Sequence, residues 1–570
     1  MMEGLRALAA HYAQYGWFLV VWSIPLVAVL VAGVVSPGRI SAETSSGVAE
    51  PESPGFRLTP AVALAAAALA TFACGYACAV VSHEDLVGLD YAQLTAHRFV
   101  GMPIWADNGR FFPLALQEYN AISLLGKSAT LYHAFSVIEL GVVIVCVFRV
   151  LDATPAWFRC LAAMFLMVLP GFVQSFFGLM YPERDLVVLL GVWLVCLQSF
   201  SRTRSRAAFC GALISVQLML YYKETAFVLI CGFAGARLLM SGWGNALLLT
   251  RRGLVQFARD HAMELGHLAL CAVFLAVYAV AIAPRIDASY VNVRAAGASL
   301  AALESYARSD WLVDGLALAL GWRLIARRTA RQPLDAFWDP LAAGAVAFAL
   351  AYVKLGLVRD YYLAPADFVA VLYISRFGYD ALRAQRPVAI AGFVMIAGWV
   401  FQQNVRDAAF YVASRKGFVA ENVRLASFLE TYAHAHERAG LSLFFPQAGG
   451  FQIMEFSAFL RYKGLRPAGP TAGGGGETFI VKSAHRYPED RCHPSQEFRC
   501  VFAAAPQPGD LVVLLPGRTV SDAELRSLRG AAHEVFHDRG EPTAIDRALR
   551  ALAPADRMME QPTGAYVFAY

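Results

Sequence analysis

The run PAVALAAAALATFACGYACAVV, Pro60 to Val81, passes at once into SHEDLVGLDYAQL, Ser82 to Leu94. The first stretch carries no charge, and its length suits a hydrocarbon core of roughly 30 Å. Without water, a backbone must satisfy its own polar groups, so such a run is stable in lipid only as a helix. The second stretch places His83, Glu84, Asp85 and Asp90 directly at the end of that helix. Charge this close to lipid is costly and tends to mark function or internal pairing.

Outward from this junction the apolar pattern repeats. Further runs are Trp17–Val35, Ala129–Val150, Trp157–Leu179, Leu186–Phe200, Ala207–Leu220, Ala226–Met240, Leu268–Ala283, Trp311–Ile325, Leu341–Leu357, Tyr362–Tyr373 and Val388–Phe401. With Pro60–Val81 they predict a polytopic α-helical membrane protein of about 12 transmembrane helices. Composition agrees: 58% of the 570 residues are hydrophobic and 16% charged, against about half and about a quarter in soluble domains. Mean hydropathy is +0.49. The net charge of +5 is spread along the chain. No basic stripe with interleaved aromatics supports nucleic-acid binding.

Arginine sets the expected orientation. Arg202, Arg204 and Arg206, then Arg251, Arg252 and Arg259, then Arg323, Arg327, Arg328 and Arg331, then Arg376, Arg383 and Arg386 fall in alternate loops. Those loops are read as cytoplasmic. The intervening loops, Ser82–Ser128, Tyr181–Asp185, Tyr221–Thr225, Pro284–Asp310 and Arg359–Tyr361, then face outward, as does everything after Gln402. The expected location is a multi-pass plasma (inner) membrane, with the C-terminal part extracytoplasmic. An even count also puts the N-terminus outside.

The chain divides into an N-terminal anchor helix and linker (1–59), a transmembrane region (60–403) and a soluble region (404–570). In the last, Ala409–Arg438 reads as a long amphipathic helix. Leu441–Phe445, Glu477–Lys482, Asp510–Leu515, His533–Phe536 and Tyr566–Tyr570 read as strands, and Gly450–Tyr462 as a helix. Ser521, with Glu524 three residues on, matches a capping box. Alternating strands and helices predict a small α/β domain. Eight of the ten cysteines lie in or beside apolar runs, where cysteine behaves as a small hydrophobe. Cys492 and Cys500 lie in a polar segment and read as a disulfide if the domain is in an oxidising compartment.

The outward loops hold the residues that suit chemistry: Glu84, Asp85 and Asp90; Arg110; Glu183, Arg184 and Asp185; Lys223 and Glu224; Arg285, Arg294 and Arg359. Glycosyl transfer to a hydroxyl needs a base, for which a carboxylate is suitable. A leaving lipid phosphate needs cations or a metal. Singly, each group also has a plainer reading. The acids after Val81 suit a solvated helix end, Glu183-Arg184-Asp185 a turn with a local ion pair, and Lys223-Glu224 a structural pair.

The order of these features resembles the GT-C superfamily of polytopic glycosyltransferases. It comprises a span ending in an acidic pair, a long external loop with GRFFPL (109–114), a short acidic second loop and a Lys-Glu third loop. The resemblance covers roughly Pro60 to Gln403. It implies a polyprenyl-phosphate-linked sugar as donor and an extracytoplasmic glycan, lipid or protein as acceptor. It maps the acceptor-side acid to Asp85, with Glu84 adjacent, and the second-loop acids to Glu183 and Asp185. Lys223, Arg184, Arg285, Arg294 and Arg359 would serve the donor phosphate. Whether a divalent cation takes part stays open; Glu84, Asp85 and Glu183 would be its ligands. The competing expectation is a transporter or flippase of a lipid-linked or polar substrate, which predicts two similar halves and charges near the midplane. No internal repeat is evident. A membrane anchor that only displays the C-terminal domain would leave the outer acids unexplained.

Overall fold

The computed structural model describes residues 2–35, 59–81, 94, 98–107, 109–242, 250–286, 298–330, 333–385, 387–435, 440–446, 450–467, 478–484, 500–516, 520–538, 544–552 and 564–570. Glu84, Asp85, Asp90, Arg294 and Cys492 lie outside these residues, and the side chain of Cys500 is not among those described. The expected Cys492–Cys500 bridge therefore also lies outside them.

The helices in chain order are α1 (Met2–Ala13), α2 (Gly16–Val35), α3 (Pro60–Val81), α4 (Gln117–Ile122), α5 (Ala129–Val150), α6 (Ala156–Met167), α7 (Pro170–Phe177), α8 (Glu183–Thr203), α9 (Arg206–Tyr222), α10 (Ala226–Gly242), α11 (Arg251–Asp260), α12 (Ala262–Ala281), α13 (Ala298–Ser309), α14 (Trp311–Ala330), α15 (Trp338–Leu355), α16 (Asp360–Arg383) and α17 (Pro387–Ala435). Among the described residues, five helices (α3, α5, α8, α12 and α15) are long and apolar enough to cross a membrane. The number rises to seven if each bent pair, α1–α2 and α6–α7, forms one span. Leu64, Val280 and Leu318 point away from the bundle at 74%, 80% and 76% exposure, as side chains meant for lipid would. The core between helices is apolar and continuous, from Val147 on α5 through Leu190 on α8 and Phe233 on α10 to Phe368 on α16.

The run Trp157–Leu179 is not one straight helix. It breaks before Pro170, and α6 and α7 meet at 71°. Proline lacks the N–H that would continue the α6 ladder, yet its fixed φ suits the first position of α7. The junction expected at Gln403 is likewise absent: α17 runs 49 residues without a proline after Pro387, about 74 Å at 1.5 Å per residue. The boundary between bundle and soluble region passes through an unbroken helix.

A short antiparallel pair, β1 (Ile104–Trp105) and β2 (Arg110–Phe111), precedes α4. The soluble region holds one mixed sheet with β3 (Leu441–Phe445), β4 (Arg466–Pro467), β5 (Thr478–Ser483), β6 (Cys500–Phe502), β7 (Leu511–Leu514), β8 (His533–Asp538) and β9 (Ala565–Ala569). Its order is β4-β5-β3-β7-β9-β8, with β6 also on β5. β3, β4, β5, β6 and β7 are mutually parallel, while β9 runs antiparallel to β7 and β8. Helices α18 (Gly450–Tyr462), α19 (Asp522–Ala531) and α20 (Ala544–Leu552) complete it. The Ser521 hydroxyl accepts from the Glu524 amide at 3.2 Å, the cap expected from sequence.

This domain shares its core with the bundle. Leu443, Phe459 and Val567 belong to one apolar cluster with Phe112, Tyr119, Tyr132 and Leu179. The loops on either side of α4 and the loop after α7 therefore lie at the end of the bundle that carries the domain. The N-terminal helix is there too: His11 Nε2 is 3.0 Å from the Val100 carbonyl, and Tyr12 hydrogen-bonds Gln117. At the far end Arg202 pairs with Asp152, and Arg323 Nε lies 2.7 Å from Asp339 Oδ1.

Candidate functional site

Two buried charge clusters and one cavity lie at the domain end. The first is built on the opening turn of α8, where Glu183, Arg184 and Asp185 are all buried. Arg184 Nε sits 2.5 Å from Glu139 Oε2 on α5, and Nη1 donates to Ser136 Oγ at 2.9 Å. Nη2 is 3.5 Å from Glu118 Oε1 on α4 and 3.6 Å from Asp185 Oδ2. The guanidinium lies 5.5 Å from the centre of the Tyr119 ring. One cation thus serves three carboxylates from three helices. On α4, burial and then the Asp185 charge hold the Glu118 carboxyl well above the ordinary carboxylate range. The cluster ties the loop helix α4 onto the bundle.

The second cluster follows α9. Lys223, in extended conformation at the helix end, puts Nζ 2.7 Å from Glu183 Oε1. Both are almost wholly buried. The ammonium also lies 5.1 Å from the Tyr362 ring and 5.8 Å from Phe112, close enough for cation–π attraction. Tyr362 stacks on Tyr352 at 4.7 Å, and the Tyr352 hydroxyl is 2.8 Å from Thr225 Oγ1. Next in sequence, Glu224 Oε1 receives Arg110 Nε at 2.5 Å.

One helical turn links this pair to a cavity of about 740 Å³, within the roughly 300–1,000 Å³ of small-molecule sites. At the start of α16, Tyr362 touches Lys223, Tyr361 packs on Tyr181 at 4.4 Å, and Asp360 lines the cavity. Gln174 Nε2 on α7 donates to Asp360 Oδ2 at 3.1 Å. Asp310, at the start of α14, accepts from the Val313 amide at 3.1 Å. Burial, with the charge of Asp360 adding to it, pushes the Asp310 carboxyl up to about 6. Asp367 lines the same wall at 5% exposure, and its Oδ1 has no hydrogen-bond partner among the described residues. Asp407, Trp311, Trp399 and Tyr411 also line the cavity.

The bend between α6 and α7 makes this wall possible. It carries Gly171 so close to α16 that a Cβ there would fall 2.4 Å from the Asp360 carbonyl oxygen and 3.4 Å from Asp367 Oδ2. Only a residue without a side chain fits such an approach without a backbone shift.

The structure thus gathers Arg110, Glu183, Arg184, Asp185, Lys223 and Glu224 at one end; Glu183, Arg184, Asp185 and Lys223 are buried inside the protein, while Arg110 and Glu224 are half-buried. Arg184 and Lys223, expected as phosphate contacts, have internal carboxylates as partners. Arg285, which ends a 3-10 turn, and Arg359, which precedes α16, are exposed. Glu84, Asp85, Asp90 and Arg294 lie outside the described residues. Val80, next to the end of α3, packs against Val173 and Phe177 of α7 and Ala408 and Val412 of α17. Those two helices supply Gln174, Asp407 and Tyr411 to the cavity wall. Among the described residues, no group of three or more His, Cys, Asp or Glu is placed to hold a metal ion. Asp310 and Asp367 did not stand out in sequence; the signal available was an aspartate, Asp367, inside an apolar run.

No family model, no curated protein and no solved structure matches this chain.

Proposed function

We propose that the chain is a membrane glycosyltransferase of the GT-C kind. It would move a sugar from a polyprenyl-phosphate donor to a hydroxyl on an extracytoplasmic glycan, lipid or protein. The observation that carries this reading is the cavity of about 740 Å³ at the domain end, walled by aspartates and abutted by the end of α3. Asp85 follows Val81 by four residues, a reach of at most about 14 Å for extended chain. A base at Asp85 could thus address an acceptor in the cavity.

The reaction is an inverting displacement. The Asp85 carboxylate takes the acceptor hydroxyl's proton while that oxygen attacks the anomeric carbon. The bond from this carbon to the phosphate oxygen breaks, and the lipid phosphate departs with the electron pair. Arg285, Arg294 and Arg359 are the cations proposed to meet that charge, since Arg184 and Lys223 are engaged internally. The proposed orientation puts the domain end outside. Taking α9, α10, α14, α16 and α17 as crossings together with the five straight spans and the two bent pairs gives twelve. It also leaves the arginine-rich loops on the cytoplasmic side.

The test is reconstitution with a labelled polyprenyl-phosphate sugar and a panel of hydroxylated acceptors. Covalent transfer of label supports the reading. Label that crosses the bilayer unchanged supports transport instead.

A further inference from the structure

One surface helix is patterned for two media at once. In α11 (Arg251–Asp260), Leu254, Phe257 and Ala258 share one side, with Val255 at its edge, while Arg252, Gln256, Arg259 and Asp260 occupy the other. Thr250 caps the helix, its Oγ1 accepting from the Gly253 amide at 3.0 Å. The apolar side is not spent on the bundle. Leu254 is 54% and Val255 47% exposed, and Ala258 is exposed as well. Phe257 is half-buried, with its ring 4.5 Å from that of His261.

Position gives this pattern its meaning. α12 begins one residue after α11, and its last turn reaches the domain end, where the Tyr278 hydroxyl donates to the Gly109 carbonyl at 2.8 Å. α11 therefore lies at the opposite, arginine-rich end. The junction is anchored there by Arg237 on α10, whose Nε is 2.9 Å from Glu264 Oε1 on the first turn of α12. Exposed apolar surface continues onto α12 at Leu265, Val273 and Leu275. Three arginines and an aspartate within ten residues are too costly for the hydrocarbon. A helix this short with its apolar side in water is marginal. The membrane–water interface satisfies both sides. Arg251 and Arg252 open the helix, and its first turn holds no acid. Cations at that end oppose the helix dipole, a cost that an external anion offsets.

We propose that α11 lies on the bilayer surface at the arginine-rich end, with Leu254, Phe257 and Ala258 at the acyl boundary and its arginines on anionic phospholipid headgroups. Lipid is favoured over a soluble partner or a second copy because α12 tethers α11 beside a membrane span, within constant reach of headgroups. The inference goes beyond the transferase reading and does not depend on it.

Hydrogen exchange is followed by mass spectrometry on the full chain, one copy per nanodisc, in phosphatidylcholine alone and with about one third phosphatidylglycerol. Amides of residues 254–260 are expected to exchange about tenfold or more slowly in the anionic discs, while those of α19 do not change. Arg252→Gln with Arg259→Gln should cut the difference to about twofold or less. Salt at about 0.5 M should do the same for the parent protein, and this arm decides if the variant fails to fold. Equal exchange in both discs overturns the inference. If fast, it leaves the face to a soluble partner; if slow, headgroup charge plays no part. Protection that needs two copies in one disc overturns it in favour of a self-interface. If lipid-dependent protection holds while the label assay shows no transfer, only the transferase reading falls.

Discussion

Lys223 Nζ and Glu183 Oε1 lie 2.7 Å apart across the ends of two helices, with side-chain exposures of 4% and 0%. Desolvating both ions offsets much of their attraction, but removing one partner strands the other. Lys223→Ala or Glu183→Ala alone is therefore expected to lower stability by about 3–5 kcal/mol. Lys223→Met with Glu183→Leu should recover most of it. A double-mutant cycle on thermal unfolding in detergent checks this; additive losses would contradict the pairing.

Gly171→Ala tests the wall of the cavity. The added Cβ would come within 2.4 Å of the Asp360 carbonyl oxygen, so α7 and α16 must separate. Such overpacking is expected to cost about 1–3 kcal/mol and to weaken ligand binding in the cavity. Unchanged unfolding temperature and binding would show that the helices sit farther apart.

The Asp310 carboxyl, raised from 3.8 to about 6 in the folded protein, gives a pH signature. Between these values the folded state holds more protons than the unfolded one, so stability falls as pH rises through this window. The contribution is fully present below about pH 4 and lost above about pH 6. Asp310→Asn should flatten that part of the stability curve. An identical slope in the variant would remove Asp310 from the account.

Sequence and structure agree where physics is local. Runs such as Ala129–Val150 name themselves by length and apolarity, and Ser521 by its hydroxyl and spacing. They part where the answer depends on distant partners. Nothing near Arg184 in sequence announces that Glu118 and Glu139 will surround it, so a buried clamp reads as an open phosphate contact. A helix that continues from bundle to domain is equally hidden, because the change of composition near Gln403 looks like a boundary while no residue there breaks the helix. The cavity carboxylates come from α13, the residue before α14, α16 and α17, and meet only in three dimensions.

Topology supplies another check. α1 and the sheet domain share one end of the molecule, so tags placed before Met1 and after Tyr570 should be accessible from the same side. A reporter active only in the cytoplasm should be silent after Tyr570, and non-reducing peptide mapping should recover Cys492 joined to Cys500. Strong reporter activity would invert the proposed orientation and place the cavity on the cytoplasmic face.

The most direct test of the central claim is sugar transfer by Asp85→Asn in the reconstituted protein. The substitution keeps the side chain's shape and removes its basicity. Transfer from the polyprenyl-phosphate donor is expected to fall by about 10²–10⁴-fold, as for a lost general base, while donor binding holds. Glu84→Gln should lower it less, and Asp90→Asn less again. Near-normal transfer in Asp85→Asn would contradict the assignment of the base, and no transfer in the parent protein with any polyprenyl-phosphate sugar would contradict the function itself.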